Sequence, residues 1–129
     1  MSAGAVVVAE DEAATRALVA RLLEMGGYVP LPVEDGASCL ALLSRVRPKA
    51  VLLDVQMPGL SGLGVLRAMR ADPRWTEIPV LFVTARVDRD LIETVRGSRN
   101  VGVVAKPFPP TDLVPRLQRQ MAMARTAAV

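Results

Sequence analysis

Aromatic side chains are scarce in this sequence: one Trp, one Tyr and two Phe in 129 residues, although 51% of the chain is apolar. The length suits one domain with a real core, and that core must be built of Val, Leu, Ala and Met. Cysteine occurs once, as Cys39 in an apolar, helix-like stretch, which excludes a disulfide or a thiolate metal site within one chain. Cys39 reads as a small core residue of a reducing compartment. No apolar run approaches the roughly 20 residues that cross a bilayer. Nor does the chain open with a positive region followed by a long apolar one, so no signal peptide is indicated and the expected location is cytoplasmic, away from membranes. Lysine is nearly missing too. Of 16 basic residues only Lys49 and Lys106 are lysines, and the fourteen arginines are scattered without a block. A net charge of +3 spread this way is a solvated surface and not a nucleic-acid footprint.

Five short β-rich runs alternate with helical patterns: Ala5–Ala9, Tyr28–Val33, Ala50–Leu53, Pro79–Val83 and Val101–Ala105. Between them Leu18, Leu22 and Met25 recur at helical spacing before a Gly26-Gly27 stop, and Leu40 and Leu43 mark a second helix. Leu63, Leu66 and Met69 mark a third helix, Leu91, Ile92 and Val95 a fourth, and Leu113, Leu117 and Met121 a fifth. Such alternation predicts an α/β fold with a parallel sheet covered on both faces. Pro30 and Pro32 cannot donate to a ladder, which puts the second strand at an edge. The order that follows is 2-1-3-4-5, the flavodoxin-like, doubly wound (βα)5 arrangement, with ligands beyond the C-terminal strand ends. Residues 1–124 form one domain on this reading, and the tail 125–129 is expected to fray. Pro115 would be interior if the fifth helix began at Pro110, so a late start or a kink is expected there.

The polar residues that close the strands carry the chemistry. Glu10-Asp11-Glu12 closes the first strand, Asp54 the third, Thr84 the fourth and Lys106 the fifth. A carboxylate attacks phosphorus only if its repulsion from the phosphoryl oxygens is neutralised. Like charges about 4 Å apart repel by about 4 kcal/mol at an effective dielectric near 20. Mg²⁺ or Mn²⁺ removes that barrier and prefers oxygen ligands. Asp11 and Asp54 would be direct ligands, Glu10 would act through water, and the Gln56 backbone carbonyl would complete the protein's share. Lys106 would pair with the phosphoryl oxygens and Thr84 would donate its hydroxyl. Each residue has a plainer role on its own: the acids as a helix start, Asp54 and Thr84 as turn or cap residues, Lys106 as a solvated loop lysine. Gly59-Leu60-Ser61-Gly62-Leu63-Gly64 lacks nucleotide-loop spacing and reads as a turn feeding the third helix.

The segments Val6–Glu12, Leu53–Gly62, Ile78–Ala85 and Lys106-Pro107-Phe108, in this order, resemble a response-regulator receiver domain of two-component signalling, over essentially the whole chain. The resemblance implies that Asp54 accepts a phosphoryl group from a histidine kinase or phosphotransfer protein, with Mg²⁺ held by Glu10, Asp11 and Asp54. It implies that Thr84 and Lys106 read the phosphoryl group and that the Lys106–Pro107 peptide is cis. Gln56 and Arg86, two residues beyond Asp54 and Thr84, occupy positions that flank the attacking water in this family. Val103 stands where receivers commonly carry Tyr or Phe, so a damped switch, or one carried by the backbone of the fourth helix, is expected. Glu10 replaces the commoner Asp and lengthens the reach to the metal.

A phosphorylatable regulatory module, not an enzyme on external substrates, is thus the leading expectation. Because the chain ends soon after the fifth helix, output is expected through contact with a downstream protein and not through nucleic acid, unless the domain is excised from a larger protein. Two other readings stay open. One is a receiver that binds a partner without phosphorylation. The other is an aspartyl-phosphate hydrolase of the haloacid-dehalogenase type, which needs an acid where Gln56 stands.

Overall fold

Successive residues of a strand point to opposite faces of the sheet, and the apolar runs of this chain use both faces. In the computed structural model the order is β1 (Ala5–Ala9), α1 (Ala13–Met25), β2 (Val29–Val33), α2 (Gly36–Leu43), β3 (Ala50–Leu53), α3 (Gly62–Ala71), β4 (Val80–Thr84), α4 (Arg89–Arg96), β5 (Val101–Ala105) and α5 (Leu113–Ala128). The structure describes the backbone of residues 2–128 and the side chains of residues 2–123; the tail expected to fray, 125–129, lies outside the fully described residues. Every strand pair is parallel and the sheet order is β2-β1-β3-β4-β5, as expected. Val7, Val51 and Phe82 face Cys39, Val65, Met69 and Leu91 of α2, α3 and α4 on one side. Val6, Val8, Leu52 and Leu81 face Val19, Leu23, Leu113 and Leu117 of α1 and α5 on the other. Burial on both faces is why β1, β3 and β4 are continuous apolar runs. Among the described residues, no helix is long and apolar enough to cross a membrane.

Local backbone chemistry decides the element ends. Val29 donates its N–H to Gly4 O at 2.9 Å, and Val33 O accepts from Glu10 N–H at 3.1 Å. Pro30 and Pro32 therefore point outward along the free edge, where no N–H is needed. β2 begins one residue later than expected, because Tyr28 spends its N–H on Leu23 O at 3.0 Å and closes α1 instead. β4 is shifted by one residue and takes in Thr84: Pro79 has no N–H to give, whereas Val80 N–H reaches Asn100 O at 2.8 Å. α5 takes the late start. It begins at Leu113, so Pro115 falls in the first turn, where an N–H has no acceptor within the helix, and Asp112 O receives Arg116 N–H at 3.0 Å.

Candidate functional site

Parallel strands bring their C-terminal ends to one edge, and the residue just beyond, or last in, each central strand meets its neighbours there. The ladders continue past the strands: Asp54 N–H donates to Ala9 O at 3.1 Å, and Lys106 N–H to Thr84 O at 2.8 Å. Glu10, Asp54 and Thr84 are buried, while Asp11 is exposed. The Lys106 ammonium donates to Oδ2 of Asp54 at 2.8 Å and also to Oε1 of Glu10. The second oxygen of each acid is held by backbone: Gln56 N–H donates to Asp54 Oδ1 at 3.2 Å, and Glu12 N–H to Glu10 Oε2 at 3.2 Å. The peptide Lys106–Pro107 is cis, as the resemblance implies.

One ammonium thus sits between two buried acids, with the exposed Asp11 beside them. Burial pushes the Glu10 carboxyl above its ordinary value; hydrogen bonds from Lys106 and the Glu12 N–H oppose this, and the charge of Asp54 adds to it. Burial acts against the Lys106 charge, but hydrogen bonds to Asp54 and Glu10, with their charges, outweigh it and hold the ammonium above the usual lysine range. Carboxylate oxygens of Glu10, Asp11 and Asp54 lie within 4.8 Å of one another. Three hard oxygen donors and a surplus of negative charge fit a divalent cation of the Mg²⁺ or Mn²⁺ kind, and lack the sulfur or imidazole ligands that softer metals prefer.

The glycines of the following loop make this packing possible. A Cβ on Gly62 would lie 2.2 Å from Asp54 O and 3.0 Å from Val55 Cα, so only glycine lets the start of α3 rest against the Asp54 backbone. Gly62 N–H donates to Val55 O at 2.9 Å, and Ser61 Oγ accepts from Gly64 N–H at 3.2 Å to cap the helix. Gly59 takes φ +74°, a left-handed conformation that favours glycine. These requirements are invisible in sequence beyond the reading of a turn.

The other expected residues are placed less directly. Thr84 is next to Lys106 through the ladder, but its Oγ1 accepts from Arg86 N–H at 3.2 Å. Arg86 is exposed and pairs with Asp88 at 3.3 Å. Gln56 enters the site through its N–H, with an exposed side chain. Val103 is half-buried opposite Phe82 in the β4–β5 register, on the face of α2, α3 and α4. Arg16, not among the residues expected from sequence, donates from Nη1 to the carbonyls of Glu10 at 2.8 Å and Asp11 at 3.3 Å.

Comparison with known proteins points to one family. A family model described as the response regulator receiver domain matches residues 6–118. The phosphate regulon transcriptional regulatory protein PhoB of Klebsiella pneumoniae is 34% identical over 126 residues, covering 96% of this chain and 54% of the relative. The DNA-binding response regulator MtrA of Mycobacterium leprae is 30% identical over 118 residues, covering 90% and 50%. The chain spans about half the length of the curated relatives it matches. Among solved structures, the chemotaxis response regulator CheY4 of Vibrio cholerae superposes with a TM-score of 0.81 at 27% identity, covering 93% of this chain and 98% of that one. A receiver domain of a Pseudomonas aeruginosa sensor histidine kinase, with magnesium coordinated in its active-site cleft, gives 0.82 at 27% identity, covering 92% and 98%.

Proposed function

This chain belongs to the response-regulator receiver domain family, and on that premise we propose that Asp54 accepts a phosphoryl group from a histidine kinase or a histidine phosphotransfer protein. The observation that carries the reading is the placement of one lysine ammonium against two buried acids at the tips of β1 and β3. In the transfer, a carboxylate oxygen of Asp54 forms a bond to phosphorus while the phosphorus–nitrogen bond of phosphohistidine breaks, and the electron pair leaves on the imidazole. Lys106 then turns from the carboxylate to the incoming phosphoryl oxygens, a step of a few ångströms for a flexible stem. Thr84 donates its hydroxyl proton to another of those oxygens, which its lone-pair bond with Arg86 N–H leaves it free to do.

Glu10, Asp11 and Asp54, with the Gln56 backbone carbonyl, are the residues that would hold Mg²⁺ or Mn²⁺. Such an ion supplies, when bound, the positive charge that lets a carboxylate approach a phosphoryl group. Hydrolysis of the acyl phosphate follows by attack of water on phosphorus, with Gln56 and Arg86 flanking its path. The domain is regulatory, with output through contact with a downstream protein in the cytoplasm. DNA binding in relatives such as MtrA belongs to those whole proteins, and no nucleic-acid or membrane contact is proposed for this domain.

Incubation of the full chain with acetyl phosphate and Mg²⁺, followed by intact mass, tests this. One labile phosphoryl group is expected, missing in Asp54→Asn and missing when the metal is chelated. An unmodified wild-type protein, or an adduct retained in Asp54→Asn, would overturn the reading.

A further inference from the structure

The acid loop between β1 and α1 must hold two successive carboxylates, Glu10 and Asp11, toward a third on β3, against their mutual repulsion. Side-chain contacts of the acids do not fix Asp11, which is exposed. The backbone of the loop is fixed from behind instead. Arg16, just over one turn along from the loop, folds back so that Nη1 donates to Glu10 O at 2.8 Å and to Asp11 O at 3.3 Å. Its Nη2 faces Oε1 of Glu34, beyond β2, at 3.6 Å, and its side chain is 19% exposed against 76% for Glu34.

We propose that Arg16 is a positioning residue for divalent-cation binding: by clamping the Glu10 and Asp11 carbonyls on the helix side of the loop, it presents their carboxylates together at the site. This rests on the reading of Glu10, Asp11 and Asp54 as the cation's ligands and adds what preorganises them. Carbonyls tied toward α1 deny the loop the other peptide orientations that would separate the two acids. A planar guanidinium reaches two carbonyls and a carboxylate at once; an ammonium on a single stem is a point donor and does so less well.

The claim has a sign that separates it from simple electrostatics. By charge alone, a guanidinium beside the loop repels an incoming cation, so its removal would tighten binding. By clamping, its removal loosens the ligands and weakens binding. Calorimetric titration of the metal-free full chain with Mg²⁺ and Mn²⁺, at a temperature where circular dichroism shows each variant folded, distinguishes them. Arg16→Gln is expected to bind about tenfold more weakly, at the low end of the ~10–100-fold effect of groups that orient metal ligands. Arg16→Lys is expected to fall between Gln and wild type. Glu34→Ala removes the ion pair but leaves both carbonyl bonds, and is expected to stay within about twofold, as befits an exposed, screened charge. Backbone amides 10–12 of Arg16→Gln should also exchange faster with solvent before any metal is added. Unchanged or tighter binding in Arg16→Gln would overturn the clamp while wild-type binding kept the ligand assignment intact. A wild type that binds neither ion would overturn the ligand assignment itself.

Discussion

Oδ2 of Asp54 lies 2.8 Å from the ammonium of Lys106, and the same ammonium also bonds Glu10. The lysine therefore neutralises a pair of acids and not a single partner, which leaves the metal-free site with surplus negative charge in a buried place. Its stability should depend sharply on which group is removed. Lys106→Met strands two buried carboxylates and is expected to destabilise the metal-free fold by about 3 kcal/mol, with Mg²⁺ recovering a large part. Asp54→Asn removes a desolvated charge and its repulsion from Glu10, and is expected to stabilise the metal-free fold by about 1 kcal/mol while abolishing the response to Mg²⁺. Urea titrations with and without Mg²⁺ measure both. A stabilised Lys106→Met would contradict the shared-cation arrangement.

Gly62 is the tightest point of the loop that follows Asp54. An added Cβ would meet the Asp54 carbonyl at 2.2 Å, and backbone atoms there have no rotamer to escape into. Gly62→Ala is expected to destabilise by about 1–3 kcal/mol and to slow phosphorylation by moving the Asp54 backbone. Gly59→Ala meets no atom within 4 Å and carries only its left-handed φ of +74°, so it should cost about 1–2 kcal/mol and spare the phosphorylation rate. Equal rates in the two variants would show that the close approach of α3 does not position the acceptor.

These two positions mark where sequence reading stops. Strand tips are legible because a strand buried on both faces is a bare apolar run, and the polar residue that follows marks its exit; hence Glu10, Asp54 and Lys106 are readable. Edge prolines likewise betray β2. The starts of β2 and β4 are each misjudged by one residue because a boundary depends on where an N–H finds its acceptor: Tyr28 N–H goes to Leu23 O in a turn, and Val80 N–H to Asn100 O, distant in sequence. Pro115 announces a conflict, but its resolution needs the actual start of α5 at Leu113. Gly62 and Arg16 act through carbonyls of other segments, and a carbonyl has no letter in the sequence.

Cys39 is fully buried between α2 and the sheet, and burial pushes its thiol from the usual 9.0 up to about 12. The folded thiol stays protonated and unreactive, so disulfide reagents near pH 8 should label it only as fast as the protein opens; rapid stoichiometric labelling of native protein would contradict this burial. The raised value also has a definite sign in stability. Its contribution is complete below pH 9 and is lost between 9 and about 12, because the unfolded thiol ionises first. Removal of the thiol in Cys39→Ala should flatten the alkaline fall in stability by up to about 1.4 kcal/mol per pH unit.

Gln56 and Arg86 have exposed side chains and meet the site through their backbone, Gln56 N–H on Asp54 Oδ1 and Arg86 N–H on Thr84 Oγ1, while the Arg86 side chain pairs outward with Asp88. Those N–H bonds survive truncation, so Gln56→Ala and Arg86→Ala should keep the acceptor in place and phosphorylate normally. On the proposed reading their side chains flank the water's route to phosphorus, so both should change the lifetime of the acyl phosphate by about threefold, roughly 0.7 kcal/mol of barrier. Decay of radiolabelled phosphoprotein gives the number directly. Lifetimes equal to wild type in both variants would remove these side chains from the hydrolysis step.

If Asp54 is phosphorylated as proposed, Val103 is expected to limit how the signal leaves the site. Thr84 is buried and pairs in the β4–β5 ladder with Ala105, two residues from Val103. A valine has one stiff torsion and already packs against the α2, α3 and α4 face, so it has little to swing into the space that Thr84 vacates. On the proposed reading the displacement passes along the backbone from Thr84 through Arg86 toward Asp88, whose side chain caps α4 by accepting Leu91 N–H at 3.0 Å. Amide shift changes on addition of beryllofluoride and Mg²⁺ should therefore be largest at residues 84–91 and small at Val103. Val103→Tyr, which adds a side chain long enough to turn inward, should enlarge the changes on β5. A wild-type response centred on Val103 would show that an aliphatic side chain carries the switch after all, and that the backbone route is not needed.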